Sequence, residues 1–113
     1  MSFKRSDRVA DLIKADISDI LLKQARDPRT RHVTVTGVKV TDDLRLAKVF
    51  FVPMAGEDSR DDVQEGLDRA SGFLRRELGK RLQLRYVPEL QFIFDSSFEY
   101  GDRIERLITD LHK

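Results

Sequence analysis

The stretch HVTVTGVKVTDDLRLAKVFFVPM, residues 32–54, limits the available folds more than any other part of the chain. Val33 and Val35 alternate with polar neighbours, and Val38 and Val40 alternate in the opposite phase. Successive side chains of a strand point to opposite faces, so the phase must slip near Gly37, where a β-bulge is expected. Residues 41–45, TDDLR, make a turn. Ala47, Val49 and Phe51 then alternate with Lys48, Phe50 and Val52 in a second strand. Strands joined this closely form an antiparallel hairpin. Phe50 and Phe51 point to opposite faces, so at least one is either exposed or covered by a helix.

Helical patterns lie on both sides of the hairpin. Val9, Leu12, Ile13, Ile17, Ile20 and Leu21 recur at helical spacing and predict a helix over 6–26. Ser6 is its expected N-cap, and Asp27 before Pro28 ends it. Asp16 falls at the edge of the apolar arc, where it is expected to stay wet. A second helical pattern runs through Val63, Leu67, Ala70, Leu74 and Leu78, weakened by glycines at 66, 72 and 79. LQFIF, residues 90–94, reads as a strand after Pro88. Ile104, Leu107, Ile108 and Leu111 mark an amphipathic last helix. Helix, strand, strand, interrupted helix, strand, helix gives a small α+β domain, with three short strands and helices over one face. At 113 residues, one domain spanning 1–113 is expected.

Chemistry is excluded more readily than it is found. There is no cysteine, so neither disulfides nor thiolate metal sites can form. His32 and His112 are the only histidines, and His112 is next to last, which leaves no credible Ser-His-Asp set. Adjacent Asp42 and Asp43 could in principle hold Mg²⁺, but neighbours on a strand point apart and Asp is a favoured turn residue. No Walker-type loop or dinucleotide fingerprint occurs. A binding module without cofactor, metal or small-molecule substrate is the expected class. No apolar run approaches a membrane span, and the N-terminus lacks the apolar core of a signal peptide.

The net charge of +1 conceals an uneven distribution. Residues 57–65 carry five acids and one base, whereas residues 66–85 carry six bases and two acids. On a helical wheel Arg69, Arg76 and Lys80 fall in a narrow arc opposite Val63, Leu67, Ala70 and Leu74, with Arg75 outside it. Arg81 and Arg85 extend the charge toward the helix end. Lys4, Arg5 and Arg8 form a second basic set, and Arg26, Arg29 and Arg31 flank Pro28. One reading is a phosphate-binding surface. The other is a solvated helix whose acids and bases complement its dipole, with Glu65–Arg69 and Glu77–Arg81 as ordinary i,i+4 pairs. Phe73 is the only aromatic in the run, which argues for backbone contacts over base stacking there.

Several segments in order carry a resemblance: RVADLIKADISDIL from Arg8, DPR at 27–29, TVTGVKVTDDLRLAKVF from Thr34, ASGFLRRELGKRLQLRYVPELQFIFDSS from Ala70, and GDRIERLI from Gly101. Together they resemble the bacterial ribosome-binding factor A family over nearly the whole chain. The resemblance implies a KH-like fold of type II topology and a cytoplasmic, monomeric, non-enzymatic factor. Such factors bind the small (30S) ribosomal subunit late in assembly, act around the 5′ end of 16S rRNA and support growth in the cold. KH domains usually clamp nucleic acid with a Gly-x-x-Gly loop. This chain has none, and Ala70-Ser71-Gly72 matches the Ala-x-Gly kink by which the family replaces it. The rRNA-binding candidates are Arg69, Arg75, Arg76, Lys80, Arg81 and Arg85, then Lys4, Arg5 and Arg8. A competing class is a basic domain that uses the same charges on an acidic protein.

Overall fold

The computed structural model describes residues 4–24, 28–54 and 59–97. The last helix expected around Ile104–Leu111, together with Arg26 and His112, lies outside the described residues, as do the side chains of Arg29 and Arg31. Six elements run in order: α1 (Arg5–Lys23), α2 (Pro28–Arg31), β1 (Val33–Val40), β2 (Leu46–Pro53), α3 (Arg60–Leu82) and β3 (Glu89–Phe94). This is the expected α+β order as far as the described residues reach.

The sheet has order β1-β2-β3. β1 and β2 pair antiparallel, and the register shifts between Val35 and Gly37, leaving Thr36 as the extra residue of the bulge. That slip puts Val35, Val38 and Val40 on one face. β2 pairs with β3 in parallel, with Ala47 beside Leu90, Val49 beside Phe92 and Phe51 beside Phe94. Parallel neighbours need a long crossover, and α3 supplies it. Sheet order could not be derived beforehand because nothing local in the sequence encodes which edge β3 joins.

Both long helices cover the same face. Ile13, Ile17 and Ile20 of α1 and Leu67, Leu74 and Leu78 of α3 are fully buried against Ala47, Val49, Phe51, Leu90 and Phe92. Each such side chain stabilises the fold by about 1.5–3 kcal/mol relative to exposure. Phe51 meets Phe94 edge to face, with ring centres 6.2 Å apart. Phe50 points to the other face and is half-buried there.

Three local expectations are corrected. Ser6 is not the cap of α1: Lys4 is, and Ser6 lies buried within the first turn. Lysine offers no acceptor to the helix N–H groups, so only the reverse bond of a capping box forms, with the Lys4 N–H donating to Asp7 Oδ2 at 3.2 Å. Asp16 is not simply wet; it is half-buried beside Arg81, 3.6 Å away. The interruption expected at Ala70-Ser71-Gly72 is absent, because α3 is helical without a break from Arg60 to Leu82. Leu67 before the triplet and Leu74 and Leu78 after it are anchored in the core, and this packing outweighs the poor propensity of Ser71 and Gly72.

A glycine in an exposed helix interior costs about 0.5–1 kcal/mol against alanine. A Cβ at Gly72 would meet nothing within 4 Å, and Gly72 is exposed. Gly72→Ala is therefore expected to stabilise the protein by about that amount. Urea unfolding should show a higher midpoint at unchanged slope; an unchanged or lower midpoint would mean that the helix needs glycine's freedom here.

Candidate nucleic-acid interface

α3 separates its charges by direction. Arg69, Gly72, Arg76 and Lys80 follow at helical spacing, and all four are exposed. They form one outward ridge opposite Leu67, Leu74 and Leu78. Arg69 pairs with Glu65 at 2.8 Å, as expected for an i,i+4 pair, and Lys80 lies 3.6 Å from Glu77. Both cations remain largely exposed, at 72% and 76%, so these pairs are weak and easily exchanged for a stronger anion. No ion pair or hydrogen bond engages the Arg76 side chain among the described residues.

Arg75 and Arg81 are used differently. The Arg75 side chain turns toward the connection between α3 and β3, where its Nε donates to the Pro88 carbonyl at 3.2 Å and its Nη2 to the Val87 carbonyl at 3.0 Å. Arg81 does not pair with Glu77. It reaches across to α1, with Nη1 2.8 Å from Asp19 Oδ2 and 3.6 Å from Asp16 Oδ1. Lys23 joins the cluster at 2.9 Å from Asp19 Oδ1. Arg81's hydrogen bond, followed by that of Lys23, holds the Asp19 carboxyl below its ordinary value of 3.8, and the same bond from Asp19 raises Arg81.

The sign of the resulting pH dependence follows from that direction. A carboxyl with a depressed folded-state pKa contributes stability above its unfolded value, and the contribution is lost as pH falls through the folded value. Parent protein is expected to be more stable than Asp19→Asn by a constant margin from about pH 5 to 8, shrinking below about pH 4. Denaturation midpoints of the two proteins across that range test this; a margin that persists in acid would rule out the Arg81–Asp19 bond as its source.

The second basic set lies at the start of α1. Lys4 is 3.8 Å from Asp42, both exposed, while Arg5 and Arg8 are also exposed. Arg5 and Arg85 are brought together in an open cleft of about 520 Å³, which Asp43, Leu44, Arg45, Leu84 and Tyr86 also line. Arg45 and Tyr86 were not singled out from the sequence. Arg45 lies in a turn whose paired aspartates drew the notice, and a lone tyrosine carries no periodic signal. The aspartates are explained by the turn. Asp43 Oδ1 accepts from the Thr41 hydroxyl at 2.6 Å and from the Arg45 N–H at 3.1 Å, and these bonds hold its carboxyl below the ordinary range. No group of side chains suited to holding a metal occurs among the described residues.

Comparison with known proteins adds what geometry alone does not. The family model described as ribosome-binding factor A matches residues 5–108. Ribosome-binding factor A of Syntrophus aciditrophicus is 60% identical over 98% of this chain and 90% of the relative. The crystal structure of ribosome-binding factor A from Thermus thermophilus superimposes with a TM-score of 0.68 at 23% identity, covering 78% of this chain and 93% of that one. A homology model of the Thermus thermophilus factor, fitted into the cryo-EM map of a 30S complex, gives a TM-score of 0.61 at 24% identity over 74% of this chain and 87% of that one. At such identities the two structures speak to the fold, with which the KH-like expectation is consistent.

Proposed function

The chain belongs to the ribosome-binding factor A family, and from that membership we propose that it docks on the immature small (30S) ribosomal subunit and assists late maturation of 16S rRNA, particularly near its 5′ end. It acts as a cytoplasmic binding factor and not as an enzyme. The observation that carries this reading is the outward ridge of α3, where Arg69, Arg76 and Lys80 stand exposed with only weak intramolecular pairing. Exposed cations in a row suit rRNA phosphates. Arg85, Arg5, Arg8 and Lys4 are further exposed cations that can add phosphate contacts. Arg75 and Arg81 hold that surface in place from within and leave phosphate contact to their neighbours. No helix among the described residues is long and apolar enough to cross a membrane, and nothing in the reading requires one.

Binding of this kind responds to salt. Each phosphate neutralised contributes about −0.7 to −0.9 to the slope of log affinity against log salt. Three ridge contacts alone should give a slope steeper than about −2 in co-sedimentation with small subunits. An affinity unchanged by salt would count against phosphate docking. Binding that survives nuclease digestion of the rRNA would favour an acidic protein partner instead.

A further inference from the structure

We propose that the cleft between the start of α1, the β1–β2 turn and the α3–β3 connection binds one unpaired nucleotide of an RNA strand, its phosphate held by Arg5, Arg45 and Arg85 and its base stacked on Tyr86. The proposal rests on the ribosomal reading above and adds a site to it. Three segments far apart in sequence each contribute one arginine to this cleft. Among the described residues none of the three guanidinium groups forms an ion pair. The single carboxylate of the lining, Asp43, spends Oδ1 on its own turn and attracts Arg45 only at longer range. Three arginines against one carboxylate leave the lining with a net positive charge, which suits an anionic ligand.

Tyr86 supplies a second, separate observation. It is 62% exposed, one of four large apolar side chains left in solvent among the described residues, and it lines the cationic cleft. An aromatic face beside guanidinium groups suits a nucleotide, whose base stacks on any aromatic ring while its phosphate accepts from arginine. The volume of about 520 Å³ falls within the range of small-ligand sites.

The backbone around the cleft is held firmly in an unusual shape. Leu44 at φ 62° and Gln83 at φ 50° are the two non-glycine residues with positive φ among the described ones; Leu44 lines the cleft, and Gln83, the C-cap of α3, directly precedes Leu84 of its lining. Such conformations persist where the surroundings enforce them, and they gather at functional sites. Here the enforcement is visible. The Gln83 N–H donates to the Gly79 carbonyl, the Leu44 N–H to the Thr41 carbonyl, and the Glu89 N–H to the Arg45 carbonyl, which ties turn and connection together. Arg75 clamps the carbonyls of Val87 and Pro88 just beyond Tyr86. Arg75 is thus a positioning residue for the cleft.

The test uses the full chain and a fluorescein-labelled single-stranded hexanucleotide RNA, followed by anisotropy. Tyr86→Ala is expected to weaken binding about tenfold, and Tyr86→Phe, which keeps the ring, by clearly less. Arg45→Gln should flatten the salt slope by about 0.7, one phosphate's share for a single strand. In the parent, RNA should shift the amide resonances of Leu44, Arg45, Arg85 and Tyr86 most strongly. The cleft proposal is overturned if Tyr86→Ala and Arg45→Gln bind the hexanucleotide like the parent, or if adenosine monophosphate binds as tightly as the strand. Equal losses in Tyr86→Ala and Tyr86→Phe would overturn the stacking. Sedimentation with small subunits separates this failure from that of the broader reading. If Arg76→Glu with Lys80→Glu abolishes subunit binding while Tyr86→Ala leaves it intact, docking stands and the cleft falls; if neither affects it, both fall.

Discussion

Arg76→Glu combined with Lys80→Glu is expected to reduce small-subunit affinity on the order of 100-fold while the circular dichroism spectrum and melting curve stay close to those of the parent. The binding loss has two sources, since each reversal removes an attraction to phosphate and adds a repulsion. The fold should tolerate both changes. Arg76 has no partner among the described residues, and the Lys80–Glu77 pair is exposed, where such pairs contribute about 0–1 kcal/mol. The reversals also place acids in the second half of α3, where the helix dipole disfavours them by about 0.3–1 kcal/mol each. That is well below the stability of a typical domain. A control with equal net charge reverses Lys14 and Lys39, both exposed and on other elements. Equal weakening in the two double variants would show that only total charge matters. Normal binding by the Arg76/Lys80 variant would make the ridge an ordinary solvated helix face.

Arg75→Met is expected to do the reverse, costing about 1.5–3 kcal/mol of stability, the usual worth of hydrogen bonds from a charged donor. Methionine keeps much of the aliphatic stem but leaves the Val87 and Pro88 carbonyls without their donors. Pro88 is fully buried, so water is a poor substitute there. The melting temperature should fall by several degrees. Arg76→Met, one residue along, should stay within about 0.5 kcal/mol of the parent, as exposed substitutions usually do. Urea midpoints for the two variants decide the matter, and equal midpoints would mean that the Arg75 clamp contributes nothing.

The contrast between these neighbours shows what the sequence could and could not disclose. Period-two alternation in residues 33–52 announced the hairpin, and the change of phase at Gly37 announced its bulge. The apolar spacing of Ile13, Ile17 and Ile20, and of Leu67, Leu74 and Leu78, identified the buried faces of both helices. These signals are local, because burial on one face imposes a period on consecutive residues. The roles of the arginines are not local. A helical wheel placed Arg75 outside the basic arc but could not supply the carbonyls that receive it, which belong to a connection 12 and 13 residues further on. By sequence spacing, Glu77 is the i,i+4 mate of Arg81. Asp19, 62 residues away, wins because α1 packs beside α3 and offers two carboxylates where Glu77 offers one. The cleft was hidden for the same reason, since Arg5, Arg45 and Tyr86 meet only through the sheet order. Ser71 and Gly72 misled in the other direction, as weak helix formers whose flanking leucines hold the helix together regardless.

The division of α3 into an inward and an outward side has an evolutionary consequence. Leu74, Leu78, Arg75 and Arg81 answer to the rest of the fold, and most changes there carry a penalty in stability before any partner is met. Arg69, Gly72, Arg76 and Lys80 answer to almost nothing inside the molecule. Mutation on that side is nearly invisible to folding, so selection can act on it only through whatever the protein touches. Affinity for a changing partner can therefore drift upward or downward by single substitutions, along one exposed row, without passing through unfolded ancestors.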